Sequence, residues 1–185
     1  MRTAIIIHGT GGSPEGNWFP WMREKLEAEG WKVFVPRFPE PMHQSLESWM
    51  EAFEEYRQYV DEETIFVAHS VGPAFVLSIL ETLEKPVRAC YFASGFLEVL
   101  QLPEFDPINE TITIKQFDWE KIRKNCQHFY MCHGSNDPYV PLSNAQIMAD
   151  HLLVDIDVIE DGGHLNEESG YREFEFLFEK VLSLS

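Results

Sequence analysis

Apolar residues along this chain fall into two kinds of run, and the two kinds alternate. Short, nearly unbroken stretches rich in β-branched residues predict strands at 3–7, 32–35, 64–68, 87–92, 128–132 and 155–159. Between them, three- and four-residue spacing predicts helices over 19–29, 46–59, 71–83, 144–152 and 171–184. In the second helix the stripe is Leu46, Trp49, Met50, Phe53 and Tyr56, and in the last it is Phe174, Leu177, Phe178 and Val181. Strands that are apolar throughout, rather than at every second position, belong in a parallel sheet covered on both faces. The expected architecture is therefore an α/β, three-layer αβα sandwich with a mostly parallel sheet of about six strands and right-handed crossovers. At 185 residues the chain is expected to form one domain, 1–185, with a sizeable core. Residues 96–125 break the rhythm. They carry Pro103 and Pro107, a short strand around 111–114 and a short helix around Trp119–Lys124, and they are read as a small lid over the sheet edge.

Charge narrows the choice of partner. The chain has 31 acidic residues against 14 basic ones, a net −17, and a field of that sign repels phosphate. Nucleic acid and anionic membrane surfaces are therefore not expected as partners, and no apolar run has the length of a bilayer span. Cys90, Cys126 and Cys132 cannot all pair, and none lies in a C-x-x-C spacing, which suits free thiols in a reducing, cytoplasmic setting. The opening "MRTAIIIHGTGG" enters a strand at once, without a secretory apolar region or cleavage site.

Ligands of open parallel sheets bind beyond the carboxyl ends of the strands. There the chain places "HGTGG", "HSVG", "HGSNDPYVP" and "EDGGHLN", so four strand ends deliver candidate groups to one edge. In "FVAHSVG" a strand passes straight into a helix at Ser70. Such a sharp turn forces the backbone into strain, tolerable only where the residues two before and two after are very small. Here they are Ala68 and Gly72. The turn lifts the Ser70 hydroxyl above the sheet and leaves the amide of Val71 to donate to an oxyanion. Ala68 is the mildest departure from G-x-S-x-G. The alternative is that Ser70 merely caps the following helix.

A serine hydroxyl needs an adjacent base to become a nucleophile. His164 is the candidate, on a loop that Gly162 and Gly163 let swing back over the sheet. Its imidazole needs a carboxylate to orient it. Asp137 lies just past a strand end and gives the chain order Ser, Asp, His; Asp161 and Asp118 are the rivals. "HGTGG" can present a second oxyanion donor, Thr10 or else Gly11, and matches neither phosphate-binding glycine pattern. His69 is expected to point away from the nucleophile, and His8 and His133 to support loops. No zinc-like spacing links the histidines, so neither a metal nor an organic cofactor is expected. The substrate pocket is expected to be walled by Gly11, Trp18, Phe19, Trp21, Phe96 and Leu97, although the three aromatics of 18–21 read equally well as core.

Taken in order, "HGTGG", "NWFPWMREKLEAEGW", "FVAHSVG", "QFDWEKIRKNC", "GSNDPYVP" and "GGHLN" resemble the minimal branch of the α/β-hydrolase fold, the retinoblastoma-binding-protein-type and YdeN-like serine hydrolases. The resemblance covers most of the chain and implies a shortened sheet, no large cap domain and a Ser70–Asp137–His164 triad. It further implies hydrolysis of small esters or peptide-like amides, carboxylesterase-like or aminopeptidase-like, through an acyl-enzyme. The alternatives are a non-catalytic interaction module on the same fold and an acyltransferase using the same triad. The L-x-C-x-E pocket-protein motif associated with the mammalian relative is absent, so that partner is not expected.

Overall fold

Alternate side chains of the same strands enter two separate apolar clusters, one on each face of a single sheet. Ile5 and Ile7, Phe66 and Ala68, Cys90 and Phe92 point to one face; Ala4 and Ile6, Ile65 and Val67, Ala89 and Tyr91 point to the other. The structure is a computed structural model describing residues 2–183. In chain order it runs β1 (Thr3–Ile7), α1 (Phe19–Ala28), β2 (Lys32–Phe34), α2 (Leu46–Arg57), β3 (Thr64–His69), α3 (Gly72–Leu80) and β4 (Val87–Ala93). It continues with α4 (Asp106–Thr113), α5 (Trp119–Lys124), β5 (Cys126–Gly134), α6 (Leu142–Leu152), β6 (Ile156–Ile159), a 3-10 turn at Glu167–Ser169 and α7 (Glu175–Ser183).

The strand order is β2-β1-β3-β4-β5-β6, and every neighbouring pair is parallel. This is the expected αβα sandwich of the α/β class. The chain leaves β1 toward one edge and returns past it to build β3 through β6 toward the other. The direction of winding therefore reverses between β1 and β3, where such sheets open a crevice beyond the strand ends. Residues 8–12 and Ser70 flank that reversal.

One face carries α1 and α7, through Trp18, Phe19, Met22, Leu26, Leu177 and Val181. The other carries α2, α3 and α6, with Phe38 stacked on Trp49 at 4.6 Å and both set edge-on against Phe75. All nine residues of α3 are buried, which explains its apolar composition all the way round. Local signals fix several helix starts. Proline occupies the first turn of α1, α3 and α4, and Ser45 and Ser48 form a reciprocal capping box at α2.

The short strand expected at 111–114 does not form; Thr111–Thr113 are the last turn of α4. Thr111, Ile112, Thr113 and Ile114 read as a β-branched strand. However, Thr113 Oγ1 returns a hydrogen bond to the carbonyl of Asn109, and Ile112 and Thr113 are buried. The Asp106 carboxylate accepts from the amides of Leu100 and Leu102, tying the preceding loop to the helix start. Helix α7 begins at Glu175 rather than at 171, and Leu184 of the expected helix lies outside the described residues. Strand β5 is longer than expected at both ends, and α6 begins two residues earlier, after Pro141. Among the described residues no helix is long and apolar enough to cross a membrane.

Candidate active site

Between β3 and α3 the backbone makes its turn on one residue. Ser70 has φ +62°, a region costly for any residue with a side chain, while its N–H is held by the carbonyl of Ala93 at 3.0 Å. The crowding around it explains the small neighbours. A Cβ on Gly72 would lie 2.9 Å from the carbonyl oxygen of Ile7, and one on Gly9 would lie 2.6 Å from the Ser70 Cβ. The loop after β1 thus passes directly over the turn. Ala68, where glycine is common, keeps its methyl fully buried in the core. Val71 occupies the cap position of α3, and the Ser70 hydroxyl turns instead to His164, with Oγ 3.1 Å from Nε2.

The other side of the imidazole meets Asp137: Nδ1 lies 2.8 Å from Oδ2, and the carboxylate is almost fully buried. Because a carboxylate only accepts, Nδ1 carries the proton and Nε2 is left free to accept from Ser70. The second Asp137 oxygen, Oδ1, accepts from the amides of Tyr139 and Val140 at 2.9 and 3.0 Å. The loops bearing the two groups touch backbone to backbone, since a Cβ on Gly134 would fall 2.0 Å from the carbonyl oxygen of Gly163. Gly163 itself has φ +56°, and its amide donates to Asn136 Oδ1 at 2.7 Å. His69 Nε2 donates to the carbonyl of His164 at 2.8 Å, so the residue before the serine supports the histidine loop, and it also borders the polar hollow that Ser70 and His164 line. Of the rival acids, Asp118 caps α5 and Asp161 lies exposed in the turn before Gly162.

Burial dominates the electrostatics. It pushes the Asp137 carboxyl up, but the His164 hydrogen bond and charge and the two amide bonds outweigh it, and the group ends below its ordinary range. Burial also lowers His8 and His133 and takes His69 down to about 3 from its ordinary 6.5, with His164 close by adding to the effect. These histidines are neutral in the fold. A neutral buried histidine takes up a proton on unfolding in acid, so its stabilisation is complete above about pH 6.5 and is lost as the pH falls toward 3. From His69 alone the loss at pH 5 is about 2 kcal/mol. Asp137 acts in the same direction further down, its stabilisation holding above its ordinary 3.8 and disappearing as the pH drops through its lowered value. The urea midpoint is therefore expected to fall between pH 7.5 and 5. The fall will be shallower in His69→Gln, which retains a donor but does not titrate.

Two hollows meet at Ser70 and His164. One, about 220 Å³, is walled by Phe96, Leu100, Leu102, Phe105, Tyr139 and Val140, with Thr10, Gly11, Asn109 and Asn166 also lining it. The other, about 240 Å³, is polar and glycine-rich, bounded by residues 9–13, Gly16, Asn17, Asn166 and Glu167. Thr10 and Gly11 line both. Of the residues expected in the pocket wall, Gly11 and Phe96 are there. Leu97 faces the neighbouring groove formed with Ile114, Trp119 and His151. Trp18 and Phe19 are wholly buried beneath the sheet, Trp18 donating to the carbonyl of Leu165, and Trp21 packs on Phe178. They follow the glycine loop in sequence, but α1 turns that face toward the sheet rather than toward the rim.

Sequence reasoning missed Leu100, Leu102, Phe105, Asn109, Tyr139, Val140 and Asn166. Tyr139 and Val140 were within reach of it, because they directly follow Asp137 in the same strand-end motif. No group of three or more His, Cys, Asp or Glu among the described residues is placed to hold a metal ion, and the three cysteines are free and buried.

Known proteins are similar to this chain in sequence and fold. The model of the family described as serine hydrolase matches residues 4–183. YdeN of Bacillus subtilis, described as a hydrolase, is 29% identical over 184 residues, covering 98% of this chain and 95% of that protein. The serine hydrolase RBBP9 of Rattus norvegicus is 28% identical, covering 98% and 94%. Among solved structures, the Bacillus subtilis ydeN gene product superposes with a TM-score of 0.92 at 28% identity, covering 100% of this chain and 98% of that one. At the level of fold alone, Est1E from Butyrivibrio proteoclasticus matches with a TM-score of 0.73 at 18% identity, over 99% and 88%.

Proposed function

The chain belongs to the serine hydrolase family, and from that premise we propose that it cleaves small carboxylic esters or short peptide-like amides through an acyl-enzyme on Ser70. The observation that carries the reading is the unbroken hydrogen-bonded line from Ser70 Oγ to His164 Nε2 and from His164 Nδ1 to Asp137 Oδ2.

As Ser70 Oγ attacks the substrate carbonyl, its proton passes to His164 Nε2, and the new imidazolium faces an ionised carboxylate that does not itself take up the proton. Asp137 is held for this by the two amides on its other oxygen, and His164 by the His69 bond to its own carbonyl. The oxyanion of the tetrahedral intermediate is assigned to the backbone N–H groups of Val71 and Thr10; the amide of Gly11, the alternative to Thr10, is turned to the Glu40 carboxylate. The positive end of α3, which starts next to Ser70, adds to that field. Each such donor is worth about 3 kcal/mol in the transition state. His164 returns the proton to the leaving alcohol or amine. Water then enters and gives a proton to the same nitrogen as its oxygen attacks the acyl carbon; the bond to Ser70 Oγ breaks, His164 returns that proton to Oγ, and the acid is released. The apolar hollow receives the acyl chain, and the polar hollow takes the leaving group.

The test is a stopped-flow series of p-nitrophenyl esters of graded acyl length, run beside aminoacyl arylamides. The reading expects an initial release of nitrophenolate equal to the enzyme concentration wherever deacylation is the slower step. Rates should peak for acyl chains that fit a cavity of about 220 Å³ and decline for longer ones. Added alcohols will report any acyl transfer to acceptors other than water. Absence of turnover and of any initial release across both series would leave a non-catalytic binding module as the better account.

A further inference from the structure

The apolar hollow beside Ser70 contains one buried amide that the reaction just described does not use. Asn109, on α4, is 5% exposed and lines the cavity among Phe96, Leu100, Phe105 and Val140. Its Oδ1 accepts from Thr10 Oγ1 at 2.6 Å and from Gln44 Nε2 at 2.9 Å, and Gln44 Nε2 also donates to Thr10 Oγ1 at 2.9 Å. The three groups form a closed triangle in which the carbonyl end of Asn109 is saturated. Its Nδ2 has no partner among the described residues.

The orientation of the amides follows from counting donors. Turning Asn109 alone would set its N–H₂ against that of Gln44. Turning both amides restores the triangle but strands two Gln44 N–H donors in place of the one buried carbonyl oxygen, Gln44 Oε1, that now lacks a partner. The cavity end of Asn109 lacks a partner either way, but with its N–H₂ toward the cavity the fully buried position keeps one unmet acceptor, Gln44 Oε1, rather than two unmet donors. An unpaired donor set among Phe96, Leu100, Phe105 and Val140 penalises a purely alkyl occupant at that spot, and a site built to bond a polar atom discriminates strongly against analogues lacking it.

Resting on the acyl-enzyme reading above, we propose that Asn109 is a specificity-determining residue, donating a hydrogen bond to a carbonyl-type oxygen on the acyl chain, so that the preferred substrates are oxo-acyl rather than plain alkyl esters or amides. The triangle with Thr10 and Gln44 holds the donor in place and links substrate choice to the loop assigned to the oxyanion.

The experiment compares two matched pairs of p-nitrophenyl esters, 4-oxopentanoate with 4-methylpentanoate and 5-oxohexanoate with 5-methylhexanoate. Each pair differs by an oxygen in place of a methyl group. The wild-type protein is expected to favour the oxo ester in kcat/KM by about tenfold or more in at least one pair. Asn109→Asp retains the acceptor for Thr10 and Gln44 but turns an oxygen toward the cavity, so the ratio is expected to drop below one. Asn109→Leu should likewise remove the preference. If Asn109 only braced the loops, both members of each pair would slow equally and the ratio would survive. A wild-type preference for the methyl esters in both pairs, or an oxo preference that persists in Asn109→Asp, overturns the proposal while leaving the hydrolase reading intact. Failure to hydrolyse either member of either pair overturns the proposal, and the hydrolase reading falls with it only if the graded esters and the arylamides also give no turnover and no initial release.

Discussion

Asp137→Asn is expected to cut turnover by about four orders of magnitude without disturbing the fold. The reasoning turns on which way the new amide must face. In the native site Oδ1 accepts from two backbone N–H groups, of Tyr139 and Val140, and Oδ2 accepts from His164 Nδ1. An asparagine has one oxygen. Two fixed amide donors outnumber one movable imidazole, so the oxygen stays with the backbone and the N–H₂ turns to His164. Nδ1 must then accept, the ring proton moves to Nε2, and the atom facing Ser70 becomes a donor where an acceptor is required. Steady-state kinetics on a p-nitrophenyl ester will read the loss. A variant within tenfold of wild type would mean that the imidazole does not depend on this carboxylate for its tautomer.

Ser70→Ala carries the largest effect, on the order of a millionfold in turnover. Stability is expected to change little. Alanine inherits the same positive φ that serine already bears, and the hydroxyl makes only a long bond to His164. Activity loss with an unshifted thermal midpoint is the expected pair of results. Activity loss accompanied by unfolding would show instead that the serine had been holding the turn.

Much of this site was legible before any coordinates, for reasons particular to a few residues. A strand-to-helix turn on one residue is so crowded that small neighbours at two before and two after mark it, and Ala68 and Gly72 did so for Ser70. Asp137 and His164 could be placed because a parallel sheet gathers its strand ends at one rim. The residues that went unrecognised obey no such constraint. Leu100, Leu102 and Phe105 line the cavity from a loop with no period to read, and the loop's position is set by Asp106, which accepts two of its amides. Trp18 and Phe19 were drawn to the pocket by sequence proximity to the glycine loop, whereas the face of α1 on which they lie is fixed by packing beneath the sheet. The β-branched turn at Thr111–Thr113 shows tertiary context overriding intrinsic preference, since burial of Ile112 and the Thr113 back-bond keep it helical. Asn109 sits in that helix, and its contacts with Thr10 and Gln44 span 99 and 65 positions of sequence. No local pattern could join them.

The most direct test of the whole account is to treat the protein with a fluorophosphonate and locate the adduct by peptide mass spectrometry. The account predicts a single phosphonyl group on Ser70, formed in proportion to the loss of esterase activity and missing from Ser70→Ala. Labelling that persists in that variant, or that falls on another side chain while Ser70 remains unmodified, would contradict it.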